Sequence, residues 1–198
     1  MKISELKMIF ERLQRFSARL DQKKGDGFQW DYCFSDGFTT TYIMKNVNHP
    51  SEIEDDIFNM FIWWWNLKDY LKELSVAKGG SRNEIEKIIN ADDNLKICAD
   101  LANKLKHGKL KQSRSGLFPS FGELEFSFDQ KTITSLTFTD KDVIFDIALP
   151  NDLKIFIPVK DDSETTIKDG LTILIHGIHV FENYFNKLCL RVKHEETI

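Results

Sequence analysis

Apolar residues recur at steps of three and four through residues 2–20: Ile3, Leu6, Ile9, Phe10, Leu13, Phe16 and Leu20. That repeat predicts an amphipathic opening helix. A turn follows at Lys23-Lys24-Gly25-Asp26-Gly27. Residues 28–45 are rich in aromatic and β-branched types around Ser35-Asp36-Gly37, which predicts a small hairpin. Pro50-Ser51-Glu52 opens a second helix, with Ser51 as N-cap and Glu54 completing a capping box. It reaches about Leu74 and stops before Gly79-Gly80. Its middle contains Trp63, Trp64 and Trp65, which at about 100° per residue span about 200° of the helix. The three cannot share one buried face. Either several elements surround this helix or one Trp meets another subunit, so all three are candidate interface residues.

Ser81 introduces a short helix over Asn83–Asn90. Asp92-Asp93-Asn94 then caps a helix over 94–108 with an apolar stripe of Cys98, Leu101, Ala102 and Leu105, and Gly108 is its C′ residue. A basic linker runs to Pro119. Beyond it the period changes: 123–128, 132–138, 143–149 and 153–159 alternate or are β-branched, which predicts an antiparallel four-strand β-meander over 122–159. A last helix is expected over 165–192, with a stripe of Ile167, Leu171, Leu174, Ile175, Ile178, Phe185 and Cys189 that also encloses Glu182. Helical parts at 2–20, 52–108 and 165–192, a meander inserted before the last helix and a small N-terminal hairpin make the class α+β. One domain over 1–198 is expected.

Composition narrows the function. With 41% hydrophobic and 29% charged residues among 198, the chain is expected to fold. A net charge of −4 excludes a generally basic nucleic-acid coat but not a local patch. The three cysteines, Cys33, Cys98 and Cys189, have no CxxC spacing and read as buried, reduced thiols. No secretory signal core and no apolar run of about 20 residues is seen, so a cytoplasmic protein without a membrane partner is expected. No Gly-rich phosphate loop, GxSxG elbow or HExxH pattern occurs, and neither metal nor cofactor is expected.

Chemistry concentrates in Asp100-Leu101-Ala102-Asn103-Lys104-Leu105-Lys106-His107-Gly108. On a helix Asp100, Asn103 and His107 align opposite the apolar stripe, with Lys96 beside them. An acid, an amide and an imidazole next to lysines can hold phosphate and move a proton. Lys104, Lys106, Lys109, Lys111 and Arg114 occur with no Asp or Glu in residues 101–122, so this segment is the candidate RNA-binding surface. It lacks interleaved aromatics, so any RNA contact is expected to be mainly electrostatic. His176 and His179, with Asn183, read as core-edge residues rather than metal ligands.

Trp64-Trp65-Asn66-Leu67-Lys68-Asp69-Tyr70 on one helix, followed by the Asn-x-x-Lys-His helix ending in His107, resembles uncharacterised bacterial proteins of the HEPN-like superfamily. The resemblance covers about residues 52–108. It implies a helical bundle that forms a homodimer. It further implies RNA binding or metal-independent endoribonuclease activity in a toxin–antitoxin or phage-defence system, with an antitoxin or defence partner. Carried over, His107 takes the catalytic histidine role, Asn103 is its polar companion, and Lys106 or Lys104 offsets phosphate charge. The family pattern places an Arg five to seven residues before the His, and none stands there in this chain. Lys106 offers a point charge instead of a bidentate fork. The alternative is a non-catalytic dimerisation or protein-interaction module. A third reading is small-ligand binding by the meander and its helices.

Overall fold

A computed structural model describes residues 3–190 of the chain. The expected burial of Ile3 and the extension of the last helix to 192 lie outside the described side chains and residues. The opening stripe forms α1 (Ile3–Asp21), burying Leu6, Ile9, Phe10, Leu13 and Leu20. The hairpin follows as β1 (Phe28–Cys33) and β2 (Thr39–Lys45), paired antiparallel. Three helices come next: α2 (Pro50–Ala77), α3 (Asn83–Asn90) and α4 (Asp93–His107). Seven short strands then precede the final helix: β3 (Ser120–Phe121), β4 (Glu125–Ser127), β5 (Ile133–Phe138), β6 (Asp142–Ile147), β7 (Lys154–Phe156), β8 (Pro158–Lys160) and β9 (Thr166–Asp169). The chain closes on α5 (Gly170–Leu190). The architecture is mixed α+β, with several helices and a multi-strand sheet set among them.

The four predicted strands of the meander are instead spread over three separate sheets. Of the four predicted strands only those forming β5 and β6 pair as sequence neighbours, and β6 also pairs in parallel with β2, giving a sheet of order β1-β2-β6-β5. The outer predicted strands leave this sheet: β4 pairs with β7, and β8 lies between β3 and β9. Turns of 3-10 helix at Gln130–Thr132 and Pro150–Asp152 separate β4 from β5 and β6 from β7. They interrupt the ladder that alternation suggested, and the N-terminal hairpin takes the vacated place beside β6. The start of the predicted last helix is strand β9, because Thr166 and Lys168 pair with Lys160 and Val159.

Several local expectations also change. His49 rather than Ser51 caps α2: its carbonyl accepts from Glu52 and Ile53, and its Nδ1 accepts from the Ser51 amide at 3.2 Å. Glu182 and Ile175 are exposed on α5, and Gly177 and Phe181 take up its buried side. Cys33 is exposed at the end of β1, Cys98 is buried and Cys189 is half-buried.

The chain divides into two compact units. The first comprises residues 3–16, 57–123 and 157–190, and the second residues 17–56 and 124–156. In the first unit Trp64, Phe61, Phe181, Leu67, Ile85, Ile89, Leu95 and Leu101 are buried, and Trp64 stacks on Phe181 with centroids 4.7 Å apart. In the second, Met44, Val47, Ile147 and Leu153 form a core flanked by Phe28, Phe126, Phe128, Ile133 and Phe145. Among the described residues no helix is long and apolar enough to cross a membrane.

Candidate functional site

The site segment is organised by α4. Asp92 caps it, accepting from the Leu95 amide at 3.1 Å, and Gly108 ends it in the left-handed conformation at φ 73°. Only Gly adopts that conformation freely, so the helix stops directly after His107. The other Asp92 oxygen lies 2.6 Å from His176 Nε2 on α5. Burial raises the Asp92 pKa, but hydrogen bonds from His176 and the helix amides outweigh it and leave the carboxyl below its ordinary range. His176 therefore fixes the start of α4, and no cluster of three metal-ligating side chains occurs among the described residues.

The three polar positions expected on one open face have different fates. Asp100 is turned inward and is only 1% exposed. Its Oδ1 accepts from the Arg114 amide at 2.7 Å. Its Oδ2 accepts from the hydroxyls of Ser113 and Ser115, both at 2.7 Å, and from the Ser115 amide at 2.9 Å. A buried carboxylate needs such donors, and here they all come from the segment read as a linker. That segment is thus a shaped turn built around Asp100. Asn103 is half-buried and His107 exposed, and neither has a hydrogen-bond partner among the described residues.

The cations divide in the same way. Arg114 donates to Glu86 at 2.7 Å and to Asn90 at 3.0 Å, and lies 5.5 Å from the Trp65 ring. Its guanidinium is thus held within the chain, with the side chain 29% exposed. Glu86 also pairs with Lys72. Burial pushes the Glu86 pKa up, but Lys72 and Arg114 outweigh it and hold the carboxyl at about 2. Lys68 sits 3.8 Å over the Trp65 ring, and burial lowers its pKa despite nearby Asp69 and Glu86. Lys104 reaches the Pro119 carbonyl at 3.4 Å. Lys109 and Lys111 are exposed, with no ion pair among the described residues.

A hydrogen bond links the two motif helices: Lys106 Nζ donates to Asn66 Oδ1 at 2.6 Å. Asn66, Lys106, Asn103 and His107 therefore belong to one polar stretch running to the end of α4. Glu86 and Asn66 were missed as site residues in the sequence. Lys68 and Lys72, four apart on α2, were the available signal for an acidic partner such as Glu86.

The Trp residues are distributed around α2. Trp64 is fully buried, Trp65 lies beneath Lys68, and half-buried Trp63 is covered by Arg12 at 4.0 Å. Several elements surround this helix, the first of the two arrangements its spacing allowed. Trp64 and Trp65 offer little surface to a partner. Residues 64–70, on which the expected resemblance rests in part, lie on α2, and residues 100–108 run along the second half of α4 to its Gly108 cap. Comparison with protein-family models, curated proteins and solved structures finds no match to the chain.

Proposed function

We propose that this chain is an RNA-binding protein of HEPN-like type, with its contact surface at the end of α4 and the basic segment after it. The observation that carries this reading is the Lys106–Asn66 hydrogen bond, which joins the two motif helices beside exposed His107. Lys109 and Lys111 follow without an acidic neighbour, so the surface favours a polyanion although the chain's net charge is −4. Asp100 holds residues 113–115 against α4, which closes the loop on which these lysines stand. The arrangement supports binding more directly than cleavage. Among the described residues nothing orients the His107 ring, and Lys106, its neighbour in sequence, is already held by Asn66.

The test is fluorescence anisotropy with a labelled single-stranded RNA across a salt series. Lys109→Ala/Lys111→Ala is expected to weaken binding and lower the salt slope by roughly 1.4, about 0.7 for each lost phosphate contact. Identical salt slopes for wild type and variant would reject this surface. Cleavage in EDTA that disappears in His107→Ala would turn the reading from binder to nuclease. A second reading, a protein-interaction module, is favoured by exposed aromatic residues on the hairpin sheet: Tyr32 is 54% and Phe138 69% exposed.

A further inference from the structure

We propose that one face of the β1-β2-β6-β5 sheet is the surface through which two copies of this chain associate. This inference is independent of the polar stretch on α4. The register places Phe28, Met44, Phe145 and Leu136 in one row across the four strands, and Trp30, Tyr42, Val143 and Phe138 in the next. Tyr32 and Phe34 continue the same side along β1, and Phe34 lies against Phe38 across the hairpin turn. Side chains alternate between faces along a strand, so the other face is mostly polar, with Gln29, Asp31, Thr41, Lys45, Asp142 and Asp146 beside Ile43 and Ile144.

One end of the apolar face is covered within the chain. Phe126 lies 5.8 Å from Phe28, and Phe128 lies 6.4 Å from Phe145. The rest is open: Trp30, Tyr32, Phe34, Phe38 and Phe138 toward the other end, and Leu136 at the β5 edge, are all exposed. Stacking of Trp30 on Tyr42, with centroids 5.3 Å apart, makes the centre of this patch flat. An uncovered apolar patch of this kind marks an interaction surface.

Charge and area select the occupant. The two rows contain no charged residue, so pairing two such faces buries no unpaired charge. The four strands and their two turns carry Asp31, Asp36, Asp140, Asp142 and Asp146 against Lys45 and Lys141. Asp31, Asp142 and Asp146 stand on the opposite face, and the two rows offer no Lys or Arg to RNA phosphates or anionic lipid, although aromatics on a sheet otherwise suit base stacking. Large side chains present on the order of 150–250 Å² each, so six partly exposed ones leave roughly 600 Å² uncovered. Two copies packed face to face would bury about 1,200 Å², the lower end of the range for stable specific interfaces.

Sedimentation velocity over a wide concentration range tests the proposal. Wild type is expected to form a dimer. Phe138→Asp is expected to raise the dissociation constant at least tenfold, by burying a carboxylate in the apolar contact. Thr137→Asp, on the opposite face of the same strand, is expected to leave it unchanged. Tyr32→Ser, a milder change on the same face, is expected to weaken the dimer and serves if Phe138→Asp does not fold. Wild type that stays monomeric at every concentration overturns the proposal. So does a dimer that both face variants leave intact. A monomer whose apolar face binds oligouridine or phosphatidylcholine vesicles overturns it in favour of that occupant.

Discussion

Replacing Asp100 by Asn perturbs one atom at the centre of the site segment. Four donors converge on the carboxylate, and two of them are backbone amides, Arg114 to Oδ1 and Ser115 to Oδ2. The Ser113 and Ser115 hydroxyls can rotate and accept from an amide NH2. The two backbone N–H groups cannot. Asn has one accepting oxygen, so in either orientation its NH2 faces one backbone N–H. Leaving that donor unpaired costs about 1–3 kcal/mol, and the surviving bonds lose their charge assistance. Relief of the buried charge offsets part of this loss. The expected net destabilisation is about 2 kcal/mol, or a fall of roughly 4–8 °C in Tm for a chain of this size. Native-state hydrogen exchange reads the effect locally: the Arg114 and Ser115 amides should exchange on the order of tenfold faster than in wild type, relative to amides in α2. Unchanged protection at both amides, with an unchanged Tm, would refute the claim that Asp100 holds this turn.

Other consequences follow from the same geometry. The Glu86 carboxyl is held at about 2 in the folded protein against 4.5 for the free group, so its stabilising contribution is present above about 4.5 and is lost as pH falls toward 2. Urea titrations across that window should show a shallower acid loss for Glu86→Gln than for wild type. A Cβ on Gly177 would lie 2.9 Å from Trp64 Nε1 and 3.0 Å from Cε2, against an indole fixed by stacking on Phe181. Overpacking costs about 1–3 kcal/mol and the better helix propensity of Ala returns about 1, so Gly177→Ala should lower Tm by a few degrees. A raised Tm would show that the Trp64 ring has room to move. Burial raises the Cys98 pKa well above the ordinary thiol range, whereas Cys33 is exposed. A thiol reagent at neutral pH should therefore modify Cys33 first and leave Cys98 unmodified until the protein unfolds.

The helices were the most legible part of the sequence, because their periodic stretches are long. Of these, α3 and α4 also carry punctuation, whereas the cap of α2 and the start of α5 were not legible. Asp92 and Gly108 bracket α4 as their chemistry requires, and Asn83–Asn90 forms the expected short helix. Strand partners were not legible. Alternation tells which face a residue takes but not which strand lies beside it, so β6 beside β2 could not be read from residues more than 90 positions apart. The site was legible in its residue types but not in their burial. Asp100, Asn103 and His107 share helical spacing, yet Asp100 faces inward because the Ser113–Ser115 turn supplies its donors. Local periodicity contains no trace of a turn that arrives 13 residues later. Arg114 illustrates the same limit: it reads as part of a basic run until Glu86 and Asn90, on the preceding short helix, claim its guanidinium. Glu182 shows the converse, since projecting a stripe onto a helical wheel assigns a centre that packing by Gly177 and Phe181 relocates.

The central claim, that RNA binds at the end of α4, is tested most directly by photo-crosslinking to a 4-thiouridine-containing single-stranded RNA, with the attached peptides mapped by mass spectrometry. The account predicts crosslinks within residues 103–111 that weaken in Lys106→Ala and fade as salt rises. Crosslinks confined to the aromatic strands, or none at RNA concentrations that saturate ordinary RNA-binding proteins, would contradict it.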